Sequence, residues 1–425
     1  MSVFAKATAS PTRSKRTLLS GLAILGASAL VLAGCATDGG DTPSGDGGGP
    51  LSLKLGTALP VTGNLAFLGP PEIAGTEYAA SQINEADAGI QIELIQGDSG
   101  DTDNKAYETE IPRLLNEDVS AILGAASSGV SLQFIDQVVG AGVIQFSPAN
   151  TSAAFTDYDD KGLYFRTAPS DVLQGEVLGN LIAADGNETL GMIVLNDSYG
   201  TGLAKFTQEA FEAAGGEVVS QPTYNTGDTT FDAQISEVLA SDPDAIALIT
   251  FEEVSTMLPS IVSSFPADKL YFVDGNLANF GDEFAPGTLA GAKGTLPGLS
   301  VDTIADFTTA LNDFYVGSGQ PELEEFSYAA ESFDSVVLLA LASLAAGSTD
   351  PAAIAEKLQE VSGGSGNGEK CTTFADCADI INGGGVADYD GISGPITFNE
   401  LGDPTEAQIG IYQYGDDNTY SAYKG

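Results

Sequence analysis

From Leu51 onward, apolar runs of strand length alternate with amphipathic stretches of helix length, and that alternation leaves few architectures open. The runs are Leu51–Leu55, Ile90–Ile95, Ala121–Leu123, Val143–Phe146, Leu190–Leu195, Ala245–Ile249 and Leu270–Val273. Between them lie Pro71–Glu85, Asn104–Asn116, Val130–Gly140, Asp171–Ala184, Gly202–Ala214 and Phe231–Leu239. Strands that are apolar throughout need cover on both faces, which parallel sheets obtain from the helices of their own crossovers. The prediction is an α/β protein built of doubly wound parallel sheets. Pro71 suits a helix's first turn, and Gly140 and Gly215-Gly216 suit helix ends. Roughly 375 residues follow Pro50, more than one ordinary core holds, so two lobes are expected. Tyr328–Gly347 reads as a buried core helix, since only about a dozen residues separate Asp334 from Gly347, short of a bilayer.

The first 34 residues have a different character. Lys6, Arg13, Lys15 and Arg16 precede an apolar segment that ends in small residues, the pattern of a cleaved secretory signal. Gly21, Gly26 and Gly34 interrupt that segment and argue against an uncleaved anchor. Its end, Leu32-Ala33-Gly34-Cys35, resembles a bacterial lipobox. The resemblance implies cleavage before Cys35 and acylation of its thiol, which holds a soluble domain at a membrane without spanning it. The expected location is therefore the extracellular face of a bacterial cell membrane. After Cys35, residues 36–50 form a Gly/Asp/Ser-rich spacer, so that 35–50 act as a flexible tether. Outside the cell, Cys371 and Cys377 in Cys-Thr-Thr-Phe-Ala-Asp-Cys favour a disulfide. Closing so short a loop contributes about 2 kcal/mol in the chain-entropy picture.

Charge narrows the partners. Without residues 1–34 the chain keeps eleven Lys and Arg against 59 Asp and Glu, a net charge of −48. Such a surface repels nucleic acid and anionic lipid. Acidic patches such as Asp157-Tyr158-Asp159-Asp160 lack EF-hand spacing, so they read as solvated acids rather than a metal site. The chain has no histidine, which removes the commonest general base and metal ligand and any Ser-His-Asp triad. Gly-x-Ser-x-Gly and the Walker A loop are absent as well. Neither an enzyme nor a cofactor is expected, and a secreted hydrolase is the weakest of the function classes considered.

Several strings, in order along the chain, resemble the solute-binding proteins of ABC importers, specifically the type I periplasmic-binding fold of leucine/isoleucine/valine-binding and amide-binding receptors. Leu55-Gly56-Thr57-Ala58-Leu59-Pro60-Val61-Thr62-Gly63 is similar to that family's first strand and turn, and Gly75-Thr76-Glu77-Tyr78-Ala79-Ala80 to its first helix. Ser127-Ser128-Gly129-Val130 and Ser147-Pro148-Ala149-Asn150-Thr151 resemble its paired ligand-contacting segments. Phe165-Arg166-Thr167 resembles its first crossing between lobes, and Asn196-Asp197-Ser198-Tyr199-Gly200-Thr201-Gly202 the first loop of its second lobe. Val273-Asp274-Gly275 and Tyr328-Ala329-Ala330-Glu331-Ser332-Phe333-Asp334 complete the series.

The resemblance implies two lobes joined by a three-crossing hinge: lobe one from 51–168 with 298–407, lobe two from 169–297 with 408–425. It implies a cleft where Ser128, Ala149 and Thr151 hold the head of a zwitterion and Asp274 pairs with its ammonium. Ser127 offers a further hydroxyl, or a helix cap, and amides at the start of Val130–Gly140 offer donors for an anion. Tyr199 presents a ring between a strand and its helix. Leu68 stands where relatives often carry an aromatic, with Phe67 beside it to compensate. The implied ligand is a branched-chain or other apolar amino acid, and the implied partner is an ABC permease with its ATPase. A receptor for a neutral amide, urea or aromatic acid, or a sensory ligand-binding module, are the alternatives.

Overall fold

All seven apolar runs become strands, and the helices between them become crossovers. The structure is a computed structural model and describes residues 49–424. The leader at 1–34, Cys35 and the tether up to residue 48 lie outside the described residues.

The first sheet holds β1 (Leu51–Ala58), β2 (Ile90–Ile95), β3 (Ala121–Gly124), β4 (Ile144–Ser147) and β5 (Tyr164–Arg166) in the order β2-β1-β3-β4-β5. Every pairing in it is parallel. Its crossovers are α1 (Gly69–Ala86), α2 (Tyr107–Leu115) and α3 (Ser128–Gly140). After β5 the chain crosses to the second lobe through α4 (Asp171–Ala184). There it runs β6 (Thr189–Leu195), α5 (Ser198–Ala213), β7 (Glu217–Ser220), β8 (Thr223–Tyr224), α6 (Asp232–Ala240), β9 (Ala245–Ile249), α7 (Val254–Val262), β10 (Leu270–Phe272) and β11 (Lys293–Pro297). It then returns to the first lobe as α8 (Ala305–Gly317), α9 (Ala329–Ala346), α10 (Pro351–Val361), β12 (Glu369–Cys371), α11 (Phe374–Asn382), β13 (Ala387–Gly391) and β14 (Gly394–Pro395). A last crossing adds β15 (Ile409–Tyr414) and β16 (Tyr420–Ala422) to the second sheet.

The second sheet has the order β16-β15-β11-β10-β9-β6-β7, with β8 also paired to β6. Its β15 and β16 pair antiparallel, so this sheet is mixed at one edge where the sequence pattern predicts parallel strands alone. The difference has a local cause: Ile409–Tyr414 alternates partly covered and buried residues at its end, the signature of an antiparallel edge. A small sheet of β12, β13 and β14 caps the first lobe, and beside it the sulfurs of Cys371 and Cys377 lie 2.06 Å apart.

Two helix starts differ from the sequence pattern in ways that matter for the site. Predicted at Asn104, α2 begins at Tyr107, because Asp101 and Asn104 spend their side chains on a turn: Asp101 Oδ1 accepts from Asn104 N at 2.7 Å, and Asn104 Oδ1 from Ala106 N at 3.1 Å. Predicted at Gly202, α5 begins at Ser198, because Asp197 caps it, accepting from Gly200 N at 2.7 Å. Tyr199 is therefore a first-turn helical residue rather than part of a loop.

Long and apolar enough to cross a membrane, α9 is instead the core helix of lobe one, buried from Ala329 to Ser343. It packs along α1, and that interface encloses two carboxyls, Glu72 and Glu331. Neither oxygen of Glu72 has a hydrogen-bond partner. Burial, reinforced by Glu331, pushes its carboxyl well above the usual range. Burial likewise raises Glu331, to about 8 against an ordinary 4.5. Between those two values the folded chain holds a proton that the unfolded chain has lost, so stability is full below the window and falls as pH rises through it. Glu331→Gln is expected to stabilise the protein at pH 8 by roughly 2–4 kcal/mol and to change it little at pH 4. Urea unfolding at the two pH values checks this, and equal gains at both would show that ionisation is not the cause.

Candidate functional site

One pocket gathers the carboxyl ends of strands from both sheets, the place where open parallel sheets put ligand sites. After β3 come Ser127 and Ser128, and after β4 come Ala149 and Thr151; all four line the pocket. Ser127 also caps α3, its Oγ accepting from Val130 N at 3.3 Å, so the amides of that helix start at the pocket wall. Ser128 does different work. Its Oγ accepts from Thr151 N at 3.3 Å and Ser152 N at 3.2 Å, tying the two loops together. Asn150 reinforces the tie, its Nδ2 donating to the carbonyls of Ala125 and Ala126 at 2.9 and 2.8 Å. The Thr151 hydroxyl, buried at 1% exposure, lies beside the Asp171 carboxyl without forming a hydrogen bond of full geometry.

Arg166, on β5 and fully buried, holds this loop from behind. Its Nη1 donates to the carbonyls of Asn150 and Ser152 at 3.2 and 2.8 Å, on either side of Thr151. Its Nε donates to Asp403 Oδ1 at 2.6 Å, which joins the first crossing to the last.

The second lobe supplies the opposite wall. Tyr199 stacks on Phe251 with ring centres 5.3 Å apart, and its hydroxyl donates to Asp274 Oδ1 at 2.7 Å. Asp274, just beyond β10, also accepts from Gln174 Nε2 at 2.9 Å and, through Oδ2, from Tyr328 OH at 2.7 Å. Burial raises its pKa above the ordinary aspartate value, while the hydrogen bonds from Tyr328, Tyr199 and Gln174 pull it back down. A second carboxyl, Asp171, opens α4 with its backbone N–H on Thr151 O at 2.7 Å. It is fully buried with neither oxygen in a hydrogen bond of full geometry, and burial together with the nearby Asp274 raises it well above the ordinary range, against a smaller opposing effect of the Thr151 hydroxyl. Of the two acids, Asp274 is the one with donors to support a negative charge.

Leu65 and Leu68 close the pocket with an apolar wall. Phe67 does not share it. The 3-10 turn Ala66–Leu68 points neighbouring side chains in different directions, and Phe67 lines a separate cavity of about 290 Å³ with Pro70, Pro71 and Tyr315. The expectation that Phe67 stands in for an aromatic at Leu68 is therefore not met. Asp171, Gln174 and Leu65 escaped the sequence reading. Asp171 enters the sequence pattern only as the first residue of a helical stretch, and nothing in a sequence reports that its carboxyl is buried without a full partner.

The lobes meet at the rim, where Asn64 Nδ2 donates to Glu253 Oε1 at 3.0 Å and Ser152 Oγ to Ser198 O at 3.0 Å. The pocket they enclose has a cavity volume of about 10 Å³, room for about one water. Anything as large as an amino acid enters only when the lobes part, as hinged lobes do.

A family model described as periplasmic binding protein matches residues 52–376. The chain belongs to the periplasmic binding protein family. That family and this fold are those of solute-binding receptors, found in the periplasm or outside the cell. Among relatives, a "Leucine-, isoleucine-, valine-, threonine-, and alanine-binding protein" of Pseudomonas aeruginosa is 31% identical over 44% of this chain and 50% of that one, so the chain spans half the length of that relative. A "Chemotactic signal transduction system substrate-binding protein" of Halobacterium salinarum is 23% identical over 84% of this chain and 86% of that one. A solved leucine-binding protein from Thermotoga maritima shares the fold with a TM-score of 0.71 at 21% identity, covering 87% of this chain and 97% of that one. The two-sheet α/β fold is thus that of a periplasmic binding protein.

Proposed function

We propose that this periplasmic binding protein captures a small apolar amino acid, most simply a branched-chain one, and delivers it to an ABC permease and its ATPase. In this reading the chain is cleaved before Cys35 and held at the outer face of a bacterial membrane by lipid on that cysteine. The carrying observation is the pairing of opposite chemistries across one buried pocket. The start of α3 and the Thr151 hydroxyl offer donors to a carboxylate, and Asp274 offers an acceptor to an ammonium. Leu65, Leu68 and Phe251 line the same pocket with apolar surface, which meets the side chain once the lobes part to admit it. The names of the Pseudomonas and Thermotoga relatives support the same ligand class. Binding needs no chemistry, because a ligand that touches both lobes favours the closed arrangement by its differential affinity.

Isothermal titration with leucine, isoleucine, valine, threonine and alanine, and with urea, a neutral amide and benzoate as comparators, tests this. One-site heat with a branched-chain amino acid is expected. Heat with a comparator alone would replace the amino acid by an amide or aromatic acid, for which Asp274 acts as a plain acceptor. The Halobacterium relative favours one other output, sensing in place of transport, with the ligand site unchanged.

A further inference from the structure

Tyr328 stands apart from the other residues of the pocket. It belongs to the first lobe's helix α9, as its N-terminal cap residue, yet its hydroxyl reaches Asp274 of the second lobe at 2.7 Å. Its backbone has φ 60°, a left-handed conformation in which a bulky residue is an outlier. Such a conformation persists only where the surroundings over-determine it, and it clusters at functional sites. The surroundings here are the hinge itself: three residues on, the carbonyl of Glu331 accepts from Thr167 Oγ1 of the first crossing at 3.0 Å. Tyr199 and Gln174 hold the other oxygen of Asp274 from within the second lobe, so Tyr328 alone ties that carboxylate to the first.

We propose that Tyr328 is a positioning residue for ligand capture, whose hydroxyl sets the orientation of Asp274 from across the lobe boundary and so links that acid to the arrangement of the hinge. The proposal rests on reading the pocket as the ligand site. The groups that bear on Asp274 are Asp171 and Gln174 of α4, Tyr199 of α5 and Tyr328 of α9; Glu331 of α9 and Asp197 before α5 act on those neighbours in turn. Among the hydrogen bonds that hold the Asp274 carboxyl down against burial, Tyr328's has the largest effect. Losing it lets burial push the acid further up.

Tyr328→Phe removes the hydroxyl and keeps the ring, and a melting curve verifies the fold. Two readouts decide the proposal. Carbon-13 NMR titration of the Asp274 carboxyl in the ligand-free protein should show a higher midpoint in the variant than in the parent. L-leucine affinity at pH 7 should fall roughly tenfold, with no further loss when Tyr328→Phe is added to Asp274→Asn. An unchanged midpoint, or an equal loss of affinity in the Asp274→Asn background, overturns the proposal. A parent protein that does not bind L-leucine would count against the amino-acid reading, and the carboxyl titration would still decide the role of Tyr328.

Discussion

Arg166→Met is expected to lower stability by about 3–5 kcal/mol, the range for breaking a buried ion pair by removing one partner. The guanidinium is fully buried and makes four hydrogen bonds: to Asp403, to the carbonyls of Asn150 and Ser152, and to Thr156 Oγ1 at 3.1 Å. Methionine fills much of the space but supplies no donor. It leaves Asp403, itself only 8% exposed, as a buried carboxylate without its cation, the Asn150 carbonyl without a partner, and the Ser152 carbonyl with only the long bond from Phe155 N at 3.4 Å. Thr156 still donates to Asp403 Oδ2 at 2.6 Å, which keeps the loss at the stated size rather than above it. Urea unfolding measures the effect. Lys205→Ala is the control, since Lys205 and Glu209 form an exposed pair at 3.8 Å that contributes almost nothing. A loss under about 1 kcal/mol at Arg166 would mean that the loop carrying Thr151 is held by Ser128 and Asn150 without it.

The same residue shows where sequence reading stops. Strands in the middle of the sheets announce themselves, because burial on both faces demands unbroken apolar runs such as Ala245–Ile249. Tyr164–Arg166 and Lys293–Pro297 carry charge, glycine or proline and match no strand pattern, yet both are buried strands. Their charges are satisfied by tertiary partners, Asp403 for Arg166 and Asp185 for Lys293 at 2.6 Å, and those partners are distant in sequence. The site divides along the same line. Ser127, Ser128, Ala149, Thr151 and Asp274 follow apolar strands directly, and parallel topology alone sends such positions to one opening. Leu68 and Phe67 are adjacent in sequence, and only the turn they occupy decides which of them faces the pocket. Tyr328 depends on a left-handed backbone at a helix start, for which tyrosine gives no signal.

Asp274→Ala is expected to weaken binding of a zwitterionic amino acid by roughly a hundredfold to a thousandfold, the range for loss of one buried charge-assisted contact. The carboxylate is 4% exposed, so water does not replace it, and an ammonium brought into the pocket would keep its desolvation cost without its partner. Asp171 does not substitute, since burial and the neighbouring Asp274 keep it toward the neutral form. The pH dependence follows from the same geometry. Burial raises Asp274 above the ordinary aspartate value, so affinity for an ammonium is full above the raised value and is lost as pH falls through it, sooner than for an exposed aspartate. In the Ala variant that acid limb disappears along with the affinity. Calorimetry across pH with the parent and the variant reads both effects. A neutral amide ligand would lose far less, because Asp274 then supplies one ordinary hydrogen bond worth about 1 kcal/mol. An amino acid that binds the variant as tightly as the parent would place its ammonium elsewhere in the pocket, and Asp171 would be the group to replace next.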